Sequence, residues 1–153
     1  MTMLTIIYIL LGTILTDSTP SYEQLTADYF FATIWKEKYK DYKSIEFDNR
    51  TDTGTYVGHV YGCKNWADQD KKEIEKKKTY EQITLNSQPR DISIKKRSNS
   101  KRLKLIIGAK IQLGDTYVVQ VTVYKPLEFV DHYFIKLGKD GKIIDKCEFN
   151  EII

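Results

Sequence analysis

The last fifty residues constrain the fold more than any other part of the chain. From Leu103 every second residue is apolar: Leu103, Leu105, Ile107, Ala109, Ile111 and Leu113. A period of two is the signature of a strand with one face on a core, because successive side chains point to opposite sides. Gly114-Asp115 then turns the chain, Tyr117, Val119, Val121 and Val123 repeat the alternation, and Lys125-Pro126 turns it again. Leu127–Leu137 reads as a third strand, Lys139-Asp140-Gly141 as a hairpin turn and Lys142–Phe149 as a fourth strand. Consecutive strands with short turns predict an antiparallel meander.

Residues 19–42 read instead as one long amphipathic helix. Two starts are open: Thr19 as cap with Pro20 in the first turn, or Ser21 as cap with Gln24 completing a capping box. Ala27, Phe31, Trp35, Tyr39 and Tyr42 fall on one stripe, widened by Phe30 and Ile34, while Thr26, Thr33, Lys36, Glu37 and Lys40 take the opposite side. So broad an apolar face needs a curved surface to lie in. The expectation is an α+β roll, with the one long N-terminal helix packed in the concave face of a curved antiparallel sheet. At 153 residues the chain fits a single domain, and eleven Tyr with six Phe suit strands around an aromatic core.

Between helix and meander the signals are mixed. Ser44–Asp48 is a short strand signal, and 49–54 is turn chemistry. Thr55–Cys63 is aromatic and β-branched and reads as a strand, with Gly58 and Gly62 marking bulges or close backbone approach. Residues 66–82 are densely charged and read as a surface helix outside the core. Ile83–Ile94 alternates loosely around Pro89, an edge or an interruption.

Leu4–Leu15 is an apolar run of secretory length, shorter than the ~20 residues that span a bilayer as a helix. Thr16 and Ser18 would be the small residues at −3 and −1 of a cleavage after Ser18, although no Lys or Arg precedes the run. The expectation is an export signal over 1–18 and a single domain over 19–153, secreted or periplasmic, with no stable membrane span once the signal is removed. The alternative is a buried first strand or helix. In an oxidising compartment Cys63 and Cys147 invite one disulfide, whose long loop would contribute about 4 kcal/mol less any strain. The other reading is two free cysteines buried as small hydrophobes. A bridge requires Cα atoms within ~7 Å.

The common self-announcing catalysts are missing: there is no Gly-rich phosphate loop, HExxH, GxSxG or CxxC. No cofactor and no metal site is expected. The only histidines, His59 and His132, sit in expected strands, and Asp131 and His132 are neighbours whose side chains must point to opposite faces. Lys76-Lys77-Lys78 and the basic run from Lys95 to Arg102 read as solvated loops, because a net charge of +3 is too small a bias to imply nucleic acid as partner. Asn49-Arg50-Thr51 is a glycosylation sequon of the kind that arises by chance.

The order of elements resembles the nuclear transport factor 2-like (cystatin-like) superfamily. The resemblance rests on the aromatic helix segment 27–39, the valine-rich strand 116–126 and the closing hairpin 132–149 with its Asp-Gly-Lys-Ile turn. The overall pattern also resembles small secreted bacterial proteins. The superfamily resemblance implies a pocket between helix and sheet, for which Phe31, Trp35, Tyr39, Tyr56, His59, Tyr61 and Tyr133 are the candidate lining residues. Its members include isomerases, dehydratases, immunity proteins, adaptors and binding modules, so fold alone selects none of them. No catalytic constellation of the family maps onto this chain residue by residue. The expectation is a non-enzymatic exported domain that binds a protein or small apolar ligand, in an immunity- or inhibitor-like role. The alternative is a ketosteroid-isomerase-like or dehydratase-like enzyme. Apolar residues on both faces of the last two strands also predict a homodimer through the sheet, unless the N-terminal segment covers the second face.

Overall fold

The computed structural model describes residues 20–48, 57–77, 83–86, 93–95 and 103–152. The expected signal over 1–18, the sequon and the pocket candidate Tyr56 lie outside the described residues. Among the described residues no helix is long and apolar enough to cross a membrane.

The N-terminal helix takes the second of its two starts: the Ser21 hydroxyl accepts the Gln24 N–H at 3.1 Å. The Gln24 side chain accepts the Asn86 N–H at 2.6 Å and donates to Asp28 at 2.8 Å, tying the helix to 83–86. The helix runs as α1 (Tyr22–Tyr29), a π-helical segment (Phe30–Trp35) and α2 (Lys36–Lys38). A stripe spaced by four residues drifts about 40° per step around a 3.6-residue turn. The wider π turn takes up that drift, and Ala27, Phe31, Trp35 and Tyr39 stay on one buried face beside Phe30 and Ile34. The helix ends at Lys38, earlier than the stripe suggested.

The strands are β1 (Ser44–Asp48), β2 (Ser93–Lys95), β3 (Lys104–Ile107), β4 (Ile111–Leu113), β5 (Thr116–Lys125), β6 (Phe129–Gly138) and β7 (Ile143–Ile152). They form one open sheet in the order β2-β1-β3-β5-β6-β7, with β4 also on β5. The expected meander is there, and Gly114 and Gly141 adopt the positive φ that its turns require. The sheet is mostly antiparallel, not wholly so, since β1 runs parallel to both β2 and β3.

The expected single strand over Leu103–Leu113 is broken. Ile107 pairs Val121 and Ile111 pairs Val118, so residues 108–110 face only Val119 and Gln120. One extra residue exchanges the two faces of a strand. Leu103, Leu105 and Ile107 therefore pack under the helix with Val119, Val121, Val123, Tyr133 and Ile135, whereas Ile111 and Leu113 turn to the opposite side. Glu23 fastens the break from the helix by accepting the Lys110 N–H at 2.8 Å.

That opposite side carries a second core, which overturns two expectations. In place of a strand ending at Cys63, Val57–Gly62 form a 3-10 helix. A Cβ on Gly62 would stand 2.3 Å from the Phe149 ring, so glycine permits a contact with β7 too close for any other residue. The charged segment is not an excursion either. Its helix α3 (Asp68–Lys76) buries Ile74 completely, and Trp66, Val60 and Cys63 join Ile111, Leu113, Val118 and Phe134 around it. Residues 57–77 thus lie over the sheet face for which the sequence left open an N-terminal segment or a second subunit as cover. They also bring Cys63 to β7, where it is bonded to Cys147 with the Cα atoms 5.6 Å apart. That separation meets the ~7 Å limit, because Cys63 follows the 3-10 helix and does not sit in a distant strand.

Candidate functional site

Two polar clusters lie back to back on β6, because residues 131 and 132 point to opposite faces. On the helix face Asp131 is buried and accepts hydrogen bonds from the Tyr39 hydroxyl and, at 2.6 Å, from the Asn150 amide. The Tyr133 hydroxyl stands 2.6 Å from that of Tyr39. Burial first, and then the bond to Asp131, push Tyr39 well above the ordinary tyrosine range; burial also raises Tyr133. Both phenols stay neutral: Tyr39 donates to the carboxylate, and the Tyr133 hydroxyl donates in turn to that of Tyr39. Around them the rings pack on one another: Phe30–Phe31 at 5.4 Å, Trp35–Tyr39 at 5.5 Å and Phe30–Tyr133 at 5.7 Å between centroids.

On the far face His132 is fully buried. Its Nδ1 lies 3.1 Å from the Thr122 hydroxyl and 3.3 Å from the Gln120 amide, both on the neighbouring strand. The His59 ring, delivered by the 3-10 helix, stacks on it with centroids 4.3 Å apart, and Phe149 lies beside both rings, 5.7 Å from His59 and 6.4 Å from His132. Glu151, near the end of β7, sits with Oε1 2.9 Å from His59 Nδ1. Burial and the neighbouring His59 push His132 down to about 4, so it is neutral at physiological pH. One nitrogen from each imidazole and one oxygen from Glu151 lie within 4.8 Å of one another.

The pocket candidates are therefore divided. Phe31, Trp35, Tyr39 and Tyr133 meet in the core under the helix. His59 and Tyr61 lie across the sheet from them, with the Tyr61 hydroxyl donating to Glu75 at 2.7 Å. Asp131, Asn150, Thr122, Gln120 and Glu151 were absent from the candidates. Strand parity carried a partial signal for them, since it places Asp131 with Tyr133 and opposite His132. No local pattern announces that His59 joins His132. Beside the disulfide, Gly62, Asn65, Trp66, Asp145 and Glu148 are among the residues lining an open groove of about 430 Å³, in which the Trp66 indole N–H donates to Asp145 at 2.9 Å. No protein-family model matches the chain, and neither a curated protein nor a solved structure matches it, so the functional reading rests on these residues themselves.

Proposed function

We propose that the chain is an exported, non-enzymatic domain on a cystatin-like roll that recognises a protein or a small apolar ligand, in an immunity- or inhibitor-like role. The observation that carries this reading is the interface between helix and sheet. Phe30, Phe31, Trp35, Tyr39 and Tyr133 fill with their own rings the space in which an enzyme on such a fold would hold its substrate. Recognition then falls to the surface. The Cys63–Cys147 bond supports an oxidising destination. A second copy is among the partners this reading allows, because β7 is an outer strand of the sheet and exposes Ile144 and Ile152.

The test is expression of the full chain in a secreting host. The reading expects protein outside the cell that lacks residues 1–18 and whose two cysteines resist alkylation. It expects capture from the native secretome of a binder that unlabelled protein displaces. An uncleaved, alkylatable chain retained in the cytosol would overturn it. One observation favours the enzyme alternative: Asp131, a buried carboxylate, accepts from the Tyr39 hydroxyl, which in turn meets that of Tyr133. Isomerase or dehydratase turnover that disappears in Asp131→Asn would establish that alternative instead.

A further inference from the structure

The geometry points to a binding site for a divalent transition-metal ion, zinc being the natural occupant, formed by His59, His132 and Glu151 on the sheet face away from the N-terminal helix. The inference does not depend on export or on partner recognition. It rests on three observations.

The first is the donor set. Two imidazoles and one carboxylate, whose donor atoms lie within 4.8 Å of one another, are the ligand types of open zinc sites. Mg²⁺ and Ca²⁺ prefer all-oxygen shells. Donors on a tetrahedral zinc with bonds of about 2.0–2.1 Å stand about 3.3 Å apart. Closing the set therefore takes an adjustment of about 1–1.5 Å, together with a tilt of the His59 ring out of its 9° stack on the buried His132, because an imidazole binds a metal in its own ring plane. The side chains of His59 and Glu151, 26% and 38% exposed, have the freedom to make it.

The second is support. The His132 ring is oriented through Nδ1, 3.1 Å from the Thr122 hydroxyl: if Nδ1–H donates to that hydroxyl, which also accepts from the Gln120 amide at 3.3 Å, Nε2 is the ligating atom. Outer contacts of this kind fix the orientation of a ligand ring. The third is covalent anchoring. His59 lies four residues before Cys63 and Glu151 four residues after Cys147, and these cysteines are bonded to each other. The 3-10 helix and β7 thus bring their ligands together as one unit, with β6 as the floor. Three protein ligands would leave a fourth position for water or for a donor group of a partner.

The experiment uses the full-length, disulfide-intact protein, stripped with EDTA and titrated with ZnCl₂ by calorimetry, with CaCl₂ as control and Co²⁺ absorption as the reporter of coordination. The expected result is one zinc per chain, micromolar or tighter, no calcium binding, and the intense visible bands of tetrahedral cobalt. His59→Ala and Glu151→Gln should each weaken zinc at least tenfold and abolish the cobalt bands. Both positions are partly exposed, so these variants are expected to keep the wild-type circular dichroism, whereas His132→Ala removes a fully buried ring and is not used. Absence of saturable 1:1 zinc binding would overturn the site. So would zinc binding that is equally tight in both variants.

Discussion

Burial and the Asp131 carboxylate both oppose ionisation of Tyr39, so its hydroxyl keeps its proton well above the ordinary tyrosine range. The unfolded chain releases that proton near pH 10 and the folded chain does not. Stabilisation from Tyr39 is thus complete below pH 10 and is lost as the pH climbs beyond it, and Tyr133 acts with the same sign. Urea unfolding of the wild type should give near-constant stability from pH 7 to 9 and a fall above 10. Tyr39→Phe should cost about 1–3 kcal/mol at neutral pH by depriving a buried carboxylate of a donor, and its decline above pH 10 should be shallower. Parallel profiles for the two proteins would remove Tyr39 as the source. Gly62 is the second residue with a sharp expectation. Alanine there meets the Phe149 ring at 2.3 Å, and displacing a packed ring should lower stability by about 1–3 kcal/mol in thermal or urea unfolding. The sequence marked Gly62 as a bulge or a point of close approach but could not name the ring it approaches, because the partner lies in the last strand.

Elements repeat the same contrast between local and distant information. The meander was legible because each strand alternates and each turn carries Gly or Pro, and the N-terminal helix because its stripe repeats every four residues. The break at 108–110 was not legible: Leu103 to Leu113 alternate without interruption, and only pairing with β5 reveals the extra residue that sends Ile111 and Leu113 to the other face. Val57–Gly62 misled by composition, since aromatic and β-branched residues suit a strand as well as a 3-10 turn packed on a sheet. The metal ligands divide along the same line. The hairpin at Lys139–Gly141 brings β6 and β7 together, and their pairing sets Glu151 opposite Val130, on the His132 face. His59 arrives from a segment that no register predicts. Helix α3 offers the direct test of the second core, because its charged sequence hides a single buried apolar anchor, Ile74. Ile74→Ala should cost about 2–5 kcal/mol, whereas alanine at the exposed neighbour Lys72 should stay within about 0.5 kcal/mol. Equal, small effects at both positions would mean that α3 does not pack on the sheet.

Across the whole molecule the sheet separates two cores, and the covalent link lies entirely on the side away from the N-terminal helix. The first core has the long aromatic helix and most of the buried apolar residues. The second is smaller, rests on a short 3-10 turn and a nine-residue helix, and has the Cys63–Cys147 bond as its clasp. Closing a loop of 84 residues restricts the unfolded chain by about 4 kcal/mol on the entropy model, a large share of the 5–15 kcal/mol that typically holds a domain together. Cys63→Ser/Cys147→Ser should therefore lower the midpoint of thermal unfolding by about 10 °C. The loss should fall unevenly: amides of residues 57–77 should exchange faster relative to global unfolding, and those of β5 and β6 under the helix should not. Because the same bond brings His59 and Glu151 together, zinc affinity of the double serine variant should drop about tenfold while its far-ultraviolet circular dichroism stays that of the native fold. Serine cannot replace the thiolate as a zinc ligand, so this variant isolates the tether, whereas the reduced protein would offer two new donors. Unchanged zinc affinity would show that the 3-10 helix docks against β7 without its covalent tie, and that Gly62 and Phe149 suffice to place His59.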